Sequence, residues 1–189
     1  MKEPILYKIL KPIIKFLVKI IFHPKVVGLE NLNEDSYILA GNHTSILDCI
    51  LIIATNKKVV HFLGKDELFK GMKKGLFKNM GVIPVDRKRK SPQSIVMAEE
   101  VLNSDGVVCI FPEGTINKTN NVIMPFKYGA VKIANDTNKK IVLFAIKGKY
   151  KIFGKSICIE YNKPYRLEKD LETENNNIMA KVTSMLKGE

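Results

Sequence analysis

From residue 25 onward, short runs rich in β-branched and aromatic residues alternate with longer stretches of helical spacing. The strand-like runs cover 25–28, 37–41, 59–63, 82–85, 107–111, 141–146 and 156–161. Helix-like stretches at 45–55, 66–79, 92–103 and 126–137 lie between several of them, and another at 171–186 closes the chain. Strands alternating with helices build a layered α/β domain, in which helical crossovers let strands pair in parallel. The expected fold is a single domain with a central mixed, largely parallel sheet flanked by helices. At 189 residues such a chain buries a core without disulfides or a structural metal. No internal repeat, low-complexity linker or convincing domain boundary interrupts it.

Residues 1–24 stand apart from this alternation. The stretch 5–22, ILYKILKPIIKFLVKIIF, is dense in Ile, Leu and Phe. As one helix it would be about 27 Å long, near the thickness of a bilayer core. A plain span is disfavoured, because a lysine near the bilayer centre costs about 2.5–3.5 kcal/mol. At about 100° per residue, Lys8, Lys11, Lys15 and Lys19 fall in one stripe roughly 80° wide. That arrangement suits a helix lying in the membrane interface, with its lysines at the level of anionic headgroups. The plainer alternative is a helix packed on the core with its lysines in solvent. Pro12 is expected to kink the segment or break it into two short helices. A signal peptide fits less well, since lysines interrupt the apolar region and no small-residue cleavage site follows. The expected division is an amphipathic, basic membrane-interface segment over 1–24 and a folded domain over 25–189.

The formal charge of +12 calls for an acidic partner: nucleic acid, anionic lipid or a phosphorylated small molecule. From Met1 to Leu29 the only acidic residue is Glu3, set against Lys2, Lys8, Lys11, Lys15, Lys19 and Lys25. This basic segment is also strongly apolar and matches no nucleic-acid reader motif, so no nucleic-acid partner is expected. Cys49, Cys109 and Cys158 are odd in number and far apart. They suit free thiols in a reducing compartment, the cytosol or the cytosolic face of a membrane.

Within the domain, the octapeptide GNHTSILD (41–48) places a histidine just after a strand and an aspartate five residues later. On a regular helix those positions lie about 140° apart, so His43 and Asp48 meet only if His43 precedes the helix. Thr44 or Ser45 as N-cap would leave His43 in the turn and Asp48 in the first helical turn. The imidazole could then fold back as a general base with an orienting carboxylate. Ser45 and Asp48 equally match a capping-box pattern that needs no chemistry, and on the octapeptide alone both readings stay open. FPEGT (111–115) follows the apolar run at 107–110, at the sheet edge where α/β proteins bind ligands. Gly114 lets a backbone approach a ligand closely and Thr115 adds a hydroxyl, though the same letters make a plain turn. GVIPVDR (81–87) ends in Arg87 and runs into Lys88, Arg89 and Lys90, a basic cluster or simply a solvated loop. His23 reads as a helix-end residue and His61 as a structural strand residue. Neither has a partner at ligand spacing, so no metal is expected.

Taken in order, NHTSILD, GVIPVDR and FPEGT resemble the motifs of the glycerolipid acyltransferase family, whose best-known members are the lysophosphatidic acid acyltransferases. The similarity extends to GKDELFKGMKKGLFKNMGVIPVDR (64–87) and PFKYGAVKIA (125–134), and covers roughly 28–148. Two departures stand out. Ile116 and Asn117 follow FPEGT where the family usually has Arg-Ser, and Phe144 stands about where the family's fourth block carries a proline.

The resemblance implies an O-acyltransferase of phospholipid biosynthesis, with no bound cofactor. It would move a fatty acyl group from a coenzyme A or acyl-carrier-protein thioester to the free hydroxyl of a lysophospholipid, foremost lysophosphatidic acid, giving phosphatidic acid. In this reading His43 takes the hydroxyl proton and Asp48 fixes and stabilises the imidazole. No Gly-x-Ser-x-Gly elbow is present, in keeping with direct attack and no acyl-enzyme. Arg87 binds the acceptor phosphate through its guanidinium fork, with Lys65 as a second ligand. Glu113 organises the acceptor site, and amides near Gly114 and Thr115 face the oxyanion. The expected partners are the lysophospholipid, the thioester donor (acyl carrier protein included) and an anionic membrane surface, at the cytoplasmic face of the cell membrane. A different lysolipid or amino-lipid acceptor, or hydrolysis of lipid thioesters, are the competing outcomes.

Overall fold

The computed structural model describes residues 4–69, 74–85 and 92–188. All seven strand-like runs join one sheet: β1 (Lys25–Val27), β2 (Tyr37–Gly41), β3 (Val60–Lys65), β4 (Ile83–Val85), β5 (Val107–Ile110), β6 (Lys140–Lys147) and β7 (Cys158–Tyr161). Their spatial order is β1-β7-β6-β2-β5-β3-β4. Among these seven strands only β6 and β7 pair antiparallel, and each other neighbouring pair is parallel. Every residue of β2 is buried, as a central parallel strand covered on both faces requires.

Among the described residues six helices cover the two faces: α1 (Ile5–Phe22), α2 (Leu47–Thr55), α3 (Lys74–Asn79), α4 (Pro92–Asn103), α5 (Gly129–Thr137) and α6 (Leu171–Lys187). The expected helix over 66–79 opens instead as a 3-10 turn, Asp66–Phe69. Because side chains alternate along a strand, β2 feeds two cores. Tyr37 and Leu39 pack with Tyr7 and Val18 of α1 and Leu51 and Ile52 of α2. Ile38 and Ala40 point the other way, to Ala98 and Leu102 of α4, Ile133 of α5 and Ile178 of α6.

The chain order creates the crevice. After β2 the chain passes through α2 and skips over β5 to reach β3. After β5 it skips back over β2 to β6 by way of α5, on the opposite face. Adjacent parallel strands whose crossovers leave to opposite faces open a cleft at their carboxyl ends, where ligands of open α/β sheets bind.

The N-terminal segment corrects the sequence reading in two respects. Pro12 does not divide it, for one helix runs from Ile5 to Phe22. Proline supplies no amide to the preceding turn, but tertiary contacts hold the helix on both sides of it. The Tyr7 hydroxyl accepts a bond from the Val60 amide at 3.1 Å, and Ile14, Val18 and Phe22 pack into the core. Nor do all four lysines face outward. The Lys11 ammonium turns in to the carbonyls of Lys57 and Lys58, just beyond the end of α2. No helix among the described residues is long and apolar enough to cross a membrane.

Candidate active site

The site grows from the end of β2. A side chain at Gly41 would meet the Phe144 carbonyl oxygen at 2.2 Å and its ring at 2.6 Å, so only glycine lets β2 run flush against β6. The Asn42 side chain then stands in for one more strand residue. It donates to the Ile146 carbonyl at 2.9 Å and accepts from the Ile146 amide at 2.8 Å. That clamp ends the strand and starts the turn at a fixed point.

His43 comes next, and its backbone is gripped by the loop after β5. Its amide donates to Glu113 Oε1 at 2.8 Å, and its carbonyl accepts from the Asn117 amide at 2.7 Å. The imidazole lies flat on the Phe111 ring, with centroids 3.8 Å apart, and Nδ1 sits 3.0 Å from Asp48 Oδ2. An ionised carboxylate can only accept, so the network assigns the proton to Nδ1 and leaves a lone pair on Nε2. That nitrogen has no hydrogen-bond partner among the described residues, and the side chain is 12% exposed.

Asp48 is fully buried and held by four donors. Oδ2 accepts from His43 and from the amides of Thr44 at 2.7 Å and Ser45 at 2.8 Å, while Oδ1 accepts from the Tyr150 hydroxyl at 2.7 Å. The carboxylate thus does two structural jobs at once: it braces the helix entry and orients the histidine. The capping itself differs from expectation. α2 starts two residues later than proposed, with Ile46 preceding it, and the Ser45 hydroxyl accepts from the Leu47 amide at 3.2 Å. Burial, reinforced by the charge of Asp48, raises the Tyr150 phenol far above its ordinary range, so this hydroxyl stays a donor. Burial also pushes the neighbouring Cys49 thiol up to about 12, with Asp48 adding to the effect. It is unsuited to act as a nucleophile.

Three further expected site residues can be placed in the fold. Glu113 is 4% exposed, and its two oxygens accept from the amides of His43 and Met124. It braces the site from within. Desolvation raises its pKa, against the opposing pull of those amides. Gly114 adopts a left-handed φ of 73°, and its amide closes the turn onto the Phe111 carbonyl at 2.9 Å. That amide is therefore unavailable to an oxyanion, and the candidate donor narrows to Thr115, exposed at the tip of the turn. Lys65 ends β3, exposed, on the far side of β5 from His43, roughly 10 Å across the sheet at ordinary strand spacing. Arg87 lies outside the described residues.

The family model described as Acyltransferase matches residues 23–147. The chain belongs to that acyltransferase family. Among its relatives, the 1-acyl-sn-glycerol-3-phosphate acyltransferase of Bacillus subtilis is 32% identical over 146 residues, spanning 76% of this chain and 72% of that protein. The enzyme of the same name from Helicobacter pylori is 33% identical over 132 residues, 67% of this chain and 54% of its own. The human alpha form is 36% identical over 110 residues, 56% of this chain and 38% of that one. Matches of this kind span about half or less of the length of several such relatives. A crystal structure of the 1-acyl-sn-glycerophosphate acyltransferase from Thermotoga maritima superposes with a TM-score of 0.75. It covers 96% of this chain and 80% of that one at 20% identity, so the fold is shared.

Two residues of this acyltransferase escaped the sequence reading. Tyr150 lies in no recognised block, and only the folded chain brings it to Asp48, 102 positions away. Lys127 belongs to PFKYGAVKIA and crosses the Gly114 turn so closely that a Cβ at 114 would sit 2.8 Å from its ammonium. His23 and His61 are structural, as expected. His23 caps α1 in a left-handed conformation, and His61 Nδ1 bonds the Gly81 carbonyl at 2.8 Å.

Proposed function

We propose that this acyltransferase moves a fatty acyl group from a coenzyme A or acyl-carrier-protein thioester to the free hydroxyl of lysophosphatidic acid, forming phosphatidic acid. The carrying observation is the bond between His43 Nδ1 and Asp48 Oδ2, which leaves the lone pair on Nε2 to take a proton. An alcohol is a weak nucleophile at neutral pH. As its oxygen attacks the thioester carbonyl, Nε2 takes its proton, a contribution worth about 10²–10⁴-fold. Asp48 stabilises the imidazolium so formed. When the tetrahedral intermediate collapses, the carbon–sulfur bond breaks, the thiolate leaves, and the proton held on His43 is available to it. The Thr115 amide is the candidate oxyanion donor.

Arg87 and Lys65 hold the acceptor phosphate in this reading, and Lys127 supplies positive charge at the turn where Ile116 replaces an arginine. The names of the relatives support this acceptor. The enzyme works at the cytoplasmic face of the membrane, resting on α1. Ile5, Ile9, Ile13, Phe16 and Ile20 are exposed and fall within about 80° of one another around the helix, flanked by Lys8, Lys15 and Lys19. This stripe is separate from the face that Tyr7, Ile14 and Val18 turn to the core.

Mass spectrometry of products from mixed lysophospholipids, offered with each thioester in turn, tests the reading. It requires diacyl product from lysophosphatidic acid. Free fatty acid alone would mean a hydrolase, and diacyl product only from another lysolipid or amino-lipid would reassign the acceptor.

A further inference from the structure

The loop between β6 and β7 is a built structure with an exposed apolar tip. Its base is closed by Gly148, whose φ is 89° and where a Cβ would lie 1.8 Å from the Ser156 carbonyl oxygen. The Ser156 hydroxyl donates to the Lys149 carbonyl at 2.7 Å, and a tight turn joins the Gly154 amide to the Lys151 carbonyl at 2.9 Å. At the tip, Ile152 is 74% and Phe153 71% exposed. Phe153 is also held at a φ of 56°, a left-handed conformation unfavourable for a bulky aromatic residue. Nothing in the packing of the domain accounts for presenting these two side chains to water.

Three observations say what covers them. Exposed Lys149, Lys151 and Lys155 surround the pair, and no acidic residue occurs between 147 and 159. The Phe153 amide donates to the Ile21 carbonyl at 2.6 Å, so the tip is fastened to the end of α1. Tyr150, on the same loop, turns inward, edge-on to Phe22 at 5.4 Å and bonded to Asp48.

We infer that the 148–156 loop is a second membrane-insertion element, whose Ile152–Phe153 tip enters the acyl-chain region of an anionic bilayer while its lysines meet the headgroups. The inference rests on the membrane reading above and deepens it. A seated tip holds the His43–Asp48 pair, through Tyr150, beside the layer from which a lysolipid acceptor is drawn.

The chain contains no tryptophan, so Phe153→Trp introduces a single indole at the tip. Mixed with phosphatidylglycerol-containing vesicles, that indole should shift its emission to the blue and be quenched by lipids brominated on their acyl chains. Val96→Trp is the control, because Val96 is exposed on α4, on the opposite face of the sheet, and should do neither. A second variant, Ile152→Asn with Phe153→Asn, keeps a residue tolerant of the left-handed conformation. It should bind the same vesicles about tenfold more weakly or worse, with acyl transfer to a soluble short-chain acceptor unchanged. Vesicle binding with an unshifted, unquenched indole at 153 would overturn the inference and leave the α1 reading intact. A blue shift that appears on concentrating the protein without lipid would overturn it in favour of a second copy. Insertion without acyl transfer to any acceptor would instead sink the proposed reaction and leave the inference standing.

Discussion

The Tyr150 hydroxyl donates to Oδ1 of Asp48 at 2.7 Å, so the carboxylate facing His43 is fixed from behind by a residue of the β6–β7 loop. Removing that donor leaves a buried carboxylate oxygen short of a partner, at a cost of about 1–3 kcal/mol. Tyr150→Phe should therefore lower kcat roughly tenfold through loss of imidazole orientation, with little change in the KM of either substrate. Steady-state kinetics separate the two. A change confined to KM would place Tyr150 in substrate binding instead.

Glu113 has a signature in stability. Burial raises its folded pKa, so the native chain holds this proton more tightly than the unfolded one. The stabilisation that the group gives is full below its unfolded pKa of about 4 and is lost as pH rises through the raised folded value. Glu113→Gln cannot ionise and keeps one carbonyl acceptor for the two amides. The melting-temperature difference, wild type minus variant, should shrink as pH rises through that window and then level off. A difference that widens with pH would contradict the assigned direction.

The acceptor phosphate is tested by basic residues. Arg87→Ala removes a charge-assisted fork worth about 1.5–3 kcal/mol, so acceptor KM should rise roughly 10- to 150-fold while donor KM holds. Lys127→Met should move the same constant in the same direction by less, since an exposed point charge is more strongly screened. An effect on the donor alone would transfer either residue to the thioester side.

The outward stripe of α1 and its inward face should behave differently. Ile9→Ser with Phe16→Ser should weaken flotation with anionic vesicles and leave the melting temperature nearly unchanged. Deleting 1–22 should unfold the domain, because Tyr7 and Val18 are core residues, each worth about 1.5–3 kcal/mol of burial. A stable, soluble truncation would show that α1 is dispensable to the core.

What the sequence could and could not reveal follows from the range of each interaction. The seven strands were legible because short β-branched runs bounded by turn residues are local signals, and α4 fell at 92–103 as read. The His43–Asp48 contact was legible because five residues and a strand end confine its geometry. Tyr150 was not, since nothing local links it to residue 48. Glu113 carried no local sign that both its oxygens would face backbone amides. In α1, apolar residues serve both a core face and an exposed stripe, and periodicity does not say which neighbour each one meets. Lys11 shares the angular stripe of the other lysines, yet it bonds carbonyls beyond α2 that are near only in the fold.

The central claim is that His43, oriented by Asp48, removes the acceptor's proton. The direct measurement is acyl transfer from thioester to lysophosphatidic acid by His43→Ala, in a sample whose melting temperature shows that it is folded. The side chain stacks on Phe111 and stays 12% exposed, so its loss should shift melting by only a few degrees. The account predicts that turnover falls by about 10²–10⁴-fold, with Asp48→Asn also severely impaired. Turnover near the wild-type rate in folded His43→Ala would contradict it.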